Sequence, residues 1–181
     1  MAFLGRSNVG KSRLLNALAG VRGLARVSAA PGRTRLANFF LVDDALCLVD
    51  LPGYGYARVP GELKRGFEGL VTACLARESL ALCVFLVDAR HEPTPDDEAL
   101  GRWLEERRLP FVLAATKADK LARSARARQA RLLAAGLGQG ALEVLLTSAQ
   151  DGTGVPELWR VIRRVTEAHA AGRRIPAGRE A

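Results

Sequence analysis

The stretch that decides the fold is Gly5-Arg6-Ser7-Asn8-Val9-Gly10-Lys11-Ser12. It fits the pattern G-x-x-x-x-G-K-[ST], and each fixed residue has a chemical reason. The glycines let backbone N–H groups turn inward around a phosphate, and Lys11 can reach the phosphate oxygens. Ser12 opens a helix whose positive dipole end favours anions, and its hydroxyl can ligate Mg²⁺. Such a loop joins a strand to a helix. Only Met1–Leu4 precede it, so the sequence predicts either a very short first strand or a true N-terminus further upstream.

Downstream, apolar runs of strand length alternate with longer helical patterns, the signature of βαβ units and a mostly parallel sheet. Strands are predicted at Leu36–Val42, Ala45–Val49, Leu82–Val87, Phe111–Ala115 and Leu142–Leu146. The runs Cys83–Val87 and Phe111–Ala115 are continuously apolar, as in central strands covered on both faces. Helices are predicted near Ser12–Ala19, Gly61–Arg77, Pro95–Arg107, Ala122–Gly136 and Val155–Ala170. One domain over residues 1–171 is expected, followed by a basic, unstructured tail over 172–181.

Three further loops follow strands. Asp50-Leu51-Pro52-Gly53 closes the run Ala45–Val49; an acid there can hold Mg²⁺ through a water, and the Gly53 N–H can bond a γ-phosphate. Thr116-Lys117-Ala118-Asp119 closes Phe111–Ala115. The Asp119 carboxylate can accept from guanine N1–H and its 2-amino group, a pair of donors adenine lacks, while the Lys117 stem lies across the base. Thr147-Ser148-Ala149 follows the last strand, where a backbone N–H can meet guanine O6. Between the first loop and Asp50, the polar stretch Pro31-Gly32-Arg33-Thr34-Arg35 reads as a switch, with Thr34 completing Mg²⁺ coordination when a triphosphate is bound. A surface loop is the plainer reading of that stretch.

Among 181 residues the formal net charge is +8, which points to a polyanionic partner such as RNA, DNA or an anionic membrane. Arg123, Arg126, Arg128 and Arg131 lie in a stretch with no acid until Glu143, and at least two should project together from a helix. Cys47, Cys74 and Cys83 sit in apolar runs without a C-x-x-C pair, as small buried hydrophobes in a reducing cytoplasm do. No apolar stretch is long enough to span a bilayer. A self-sufficient domain of this kind is expected to be a monomer.

The strings GRSNVGKS (5–12), PGRTR (31–35), DLPGYGYA (50–57) and TKAD (116–119), in this order, resemble the EngB family (YihA/YsxC) of TRAFAC-class GTPases over Phe3 to about Ala170. The resemblance implies a three-layer, Ras-like G domain with a six-stranded sheet, binding GTP or GDP with Mg²⁺ ligated by Ser12 and Thr34. It also implies slow hydrolysis, a role in assembly of the large (50S) ribosomal subunit, and a link to cell division and septation. Carried over by position, Gly5–Ser12, Gly32–Leu36, Asp50–Gly53, Thr116–Asp119 and Thr147–Ala149 line the nucleotide, and Lys11, Asn8, Thr34 and Gly53 serve catalysis. Two positions depart from common GTPase usage. Thr116 stands where Asn is usual, and Tyr54 stands where a Gln often orients the attacking water. In related GTPases a P-loop Asn helps hold K⁺ in place of an arginine finger; for Asn8 this and a loop-shaping role both stand. A GTP-dependent scaffold with little turnover, or the G domain of another translation-linked GTPase, are the competing readings.

Overall fold

The computed structural model describes residues 1–21, 24, 37–42, 45–54 and 69–173. Its strands are β1 (Ala2–Gly5), β2 (Asn38–Val42), β3 (Leu46–Asp50), β4 (Cys83–Asp88), β5 (Phe111–Thr116) and β6 (Val144–Leu146). They form one sheet in the order β2-β3-β1-β4-β5-β6, antiparallel only at β2–β3. The first strand is short, yet it lies between β3 and β4 with all four residues buried. Its register, Ala2 opposite Val49 on one side and Cys83 on the other, fixes where the loop after Gly5 emerges.

Strand side chains alternate between two cores, which is why the central runs are apolar without interruption. Phe3, Val84, Leu86, Val112 and Ala114 face one core. There α1 (Lys11–Ala19) contributes Leu14, Leu15 and Leu18, and α4 (Val155–Ala170) contributes Leu158, Val161, Ile162 and Val165. The Trp159 indole N–H donates to Leu18 O (2.8 Å), joining these two helices. Ala2, Leu4, Phe85, Val87, Phe111 and Leu113 face the other core. It is covered by α2 (Pro95–Glu106), α3 (Arg123–Leu137) and the helical residues 69–75. The architecture is therefore three-layered and mostly parallel, as the alternation of patterns predicts.

Boundaries shift by a residue or two, and the helix predicted from Gly61 is described only at 69–75. One expectation fails. Cys47 is exposed, whereas Cys83 is buried and Cys74 half-buried. Cys47 lies directly opposite Leu41 of the edge strand β2, itself exposed, so both side chains stand on the same open part of the sheet face.

Candidate nucleotide-binding site

All the described loops singled out by sequence leave the carboxyl ends of parallel strands, along one crest of the sheet. That is where open α/β sheets bind ligands. Gly5 ends β1 and Arg6–Gly10 form the loop. Asn8 (φ 63°) and Gly10 (φ 107°) take left-handed conformations that turn the backbone into α1. No side chain caps α1, so its first-turn N–H groups are left for an anion. Lys11 is 8% exposed, and its ammonium meets the carboxylate of Asp50, itself 2% exposed, at the end of β3. The ion pair holds the Asp50 carboxylate on Lys11, the residue before Ser12, whose hydroxyl is a second hard oxygen donor of this part of the chain. That donor set fits Mg²⁺, which takes few protein ligands and completes its shell with phosphate and water oxygens.

Gly53 follows, packed so closely that a Cβ there would lie 2.7 Å from Ser7 N. Tyr54 continues the pairing with the loop: its N–H donates to Gly5 O (3.3 Å) and its carbonyl accepts from Ser7 N (3.1 Å). Its phenol, half-buried against α2, donates to Asp97 Oδ1 (2.7 Å). Gly32–Leu36, including Thr34, lie outside the described residues, as do Tyr56 and Arg58.

Thr116 ends β5. Its hydroxyl lies 2.5 Å from Val9 O and 3.1 Å from Val87 O, so its one proton is shared between two carbonyls. Lys117 adopts a left-handed conformation (φ 62°) and donates to Asn8 O (2.9 Å) and to Asp88 Oδ2 (2.8 Å). These two side chains tie the Thr116–Asp119 loop to the Gly5–Ser12 loop. Asp119, on the short 3₁₀ turn Ala118–Lys120, accepts from the Ser148 hydroxyl (2.9 Å), and Ala118 N–H donates to Thr147 O (3.1 Å). Burial alone would raise the Asp119 carboxyl, but bonds from Ser148 and Lys120 outweigh it and lower its pKa, so it remains an acceptor at neutral pH. Ser148 is fixed in turn, its oxygen accepting from the Gln150 and Asp151 amides (3.1 and 3.3 Å).

Sequence reading missed Asp88 and Asp97. Asp88 ends β4 as Asp50 ends β3, a signal that was available. Burial pushes its carboxyl upward, but Arg90 (2.9 and 2.8 Å) and Lys117 hold it well below the usual carboxylate range. Asp97 stands three residues after Thr94, the spacing of a capping box. A cleft of about 250 Å³ opens between the loop residues Arg6–Val9 and Asp88, His91, Asp97 and Lys117.

A phosphate loop and a carboxylate-bearing base loop, cross-tied at the crest of such a sheet, define a P-loop GTPase domain. A family model described as 50S ribosome-binding GTPase matches residues 1–117. The probable GTP-binding protein EngB of Methylococcus capsulatus is 48% identical over 169 residues, covering 91% of this chain and 80% of that protein. The probable EngB of Geobacter sulfurreducens is 44% identical over 172 residues, covering 94% and 84%. The chain belongs to the EngB family of GTP-binding proteins. Among solved structures, a probable GTP-binding protein engB shares the fold with a TM-score of 0.73 at 23% identity, covering 92% of this chain and 97% of that one. A variant of Aquifex aeolicus Era bound to GDP and aluminium fluoride has a TM-score of 0.76 at 24% identity, covering 91% and 55%. Among the described residues, no helix is long and apolar enough to cross a membrane.

Proposed function

We propose that this protein is a guanine-nucleotide switch with slow intrinsic hydrolysis, acting in the cytoplasm on the large ribosomal subunit during its assembly. The observation that carries the nucleotide reading is the cross-tie of Thr116 and Lys117 to Val9 and Asn8. It holds Asp119, the guanine acceptor, at a fixed span from Lys11, the phosphate cation. Residues 1–171 act as one G domain and as a monomer, with 172–181 a basic tail.

Lys11 exchanges Asp50 for the β- and γ-phosphate oxygens as nucleotide enters. Ser12 and Thr34, with Asp50 nearby, would hold Mg²⁺, which when bound would supply charge neutralisation to the phosphates. Gly5–Ser12 supply the inward N–H groups, Gly32–Leu36 and Asp50–Gly53 respond to the γ-phosphate, and Thr147–Ala149 back the base. Slow turnover follows from Tyr54. Its hydroxyl is committed to Asp97, and no glutamine amide stands there to orient water. Where no arginine finger reaches the phosphates, the deficit is roughly 10³–10⁵ in rate. Asn8 supplies one place for K⁺ to make up part of it; equal hydrolysis rates in K⁺ and Na⁺ would exclude that role.

The RNA-facing surface is α3. Leu133 and Leu137 bury one side, Arg126 turns partly inward with its Nε shielded, and Arg123, Arg128 and Arg131 are exposed. Arg128 and Arg131, three apart, share the outward face. Among the described residues, the ion pairs include none of these arginines. An unpaired basic face with small neighbours suits phosphate contacts without base reading. The matching family model's description, a 50S ribosome-binding GTPase, supports the same partner. The scaffold reading draws on the same Tyr54–Asp97 bond. Single-turnover GTP hydrolysis with and without 50S particles separates them: stimulation is expected, and neither stimulation nor turnover would favour the scaffold.

A further inference from the structure

Asp97 is 4% exposed, more deeply buried than a helix cap requires. Its two oxygens do different work. Oδ2 accepts from the Thr94 amide (2.9 Å) and hydroxyl (2.7 Å), closing the capping box of α2. Oδ1 accepts from the Tyr54 phenol. That second bond contributes nothing to capping; it reaches from α2 into the segment that follows the phosphate-sensing Asp50-Leu51-Pro52-Gly53. We propose that Asp97 is a positioning residue that acts through Tyr54 to hold this second switch docked on the phosphate loop, and so biases the protein toward GTP over GDP. The inference rests on the guanine-nucleotide reading above and adds to it the residue that sets the switch.

The chain of contacts is short. Asp97 holds the Tyr54 side chain, and the Tyr54 backbone is bonded on both sides to the loop, to Gly5 and to Ser7. Gly53, the preceding residue, is thereby pressed onto Ser7 without room for a Cβ. A docked Gly53 sits at the rim of the loop that receives phosphate, where its N–H can meet a third phosphate at no further ordering cost. Releasing Tyr54 leaves Gly53 to be ordered by the ligand itself. That cost falls on GTP, which presents a γ-phosphate, and not on GDP. Burial first, then the Asp97 charge and hydrogen bond, push the phenol's pKa well above its ordinary value, so it stays a donor across the physiological range.

The test is titration of fluorescent GDP and a fluorescent non-hydrolysable GTP analogue against the wild-type protein, Tyr54→Phe, Asp97→Ala and the double variant, with Thr94→Val as the capping control. A hydrogen bond to a charged group supports a shift of about fivefold or more toward GDP in each single variant. The double variant should shift no further, because both substitutions remove one bond. Thr94→Val should lower the unfolding midpoint and leave the GTP-to-GDP affinity ratio within about twofold. An unchanged or reversed ratio in Tyr54→Phe, which keeps the ring and its packing, overturns the proposal. Additive shifts in the double variant overturn it as well. Failure of the wild-type protein to bind either guanine nucleotide would sink the switch reading itself, and the latch with it.

Discussion

Thr116 shows what one hydroxyl can do where an amide is usual. It bonds two buried carbonyls from different elements, Val9 O in the phosphate loop and Val87 O in β4. Thr116→Val keeps the shape and removes the donor, taking the side-chain hydrogen bond from the Val9 and Val87 carbonyls; a loss of about 1–2 kcal/mol in urea unfolding is expected, with weakened GTP binding. Asp88 carries the pH dependence of the same region. Its folded pKa is depressed, so its contribution is present above the unfolded value of about 4 and is lost as pH falls through the folded pKa. Stability should therefore be indifferent to Asp88 between pH 5 and 8 on this ground, as roughly all of its titration lies in acid. Acid unfolding of Asp88→Asn should show a shallower slope below about pH 4 than the wild-type protein. The residues whose chemistry is fixed by spacing, Gly5–Ser12 and Thr116–Asp119, were legible in sequence. Asp97 and Asp88 were harder to find because their roles depend on partners 43 and 29 residues away.

At the scale of elements, the sequence was most legible where both faces of a strand are buried, as in β4 and β5. Period-two alternation cannot mark such strands, but uninterrupted apolar runs bounded by turn signals can. It was least legible at β3, where pairing with the exposed edge strand β2, not the local apolar pattern, leaves Cys47 open. That difference is measurable with a thiol reagent. Burial pushes the Cys83 thiol up to about 12, so it should react only on unfolding, while Cys47 reacts first in the native protein. Equal rates for the two would contradict this difference in burial. Past β6, the turn that carries Ser148 depends on Gly154, at φ 70° with a Cβ position only 2.0 Å from Leu146 O. Gly154→Ala should destabilise the protein by about 2 kcal/mol or more and weaken guanine binding before phosphate binding, seen by comparing GDP with pyrophosphate as competitors.

Across the whole molecule, the nucleotide crest and the basic face of α3 are linked by the base loop, since α3 starts three residues after the Ala118–Lys120 turn. Net charge alone could not place the basic face; burial of Leu133 and Leu137 does, by turning Arg128 and Arg131 outward. Replacing both by Glu should leave GTP affinity near wild type and weaken ribosome binding. It should also reduce the dependence of that binding on log salt concentration by about two phosphate contacts. The most direct measurement is co-sedimentation of the intact protein with 50S particles in GDP, GTP and a non-hydrolysable GTP analogue. Retention on the particles with the analogue, and release with GDP, is the expected result. Equal sedimentation in all three nucleotide conditions, or none in any, would contradict a nucleotide-dependent switch on the large subunit.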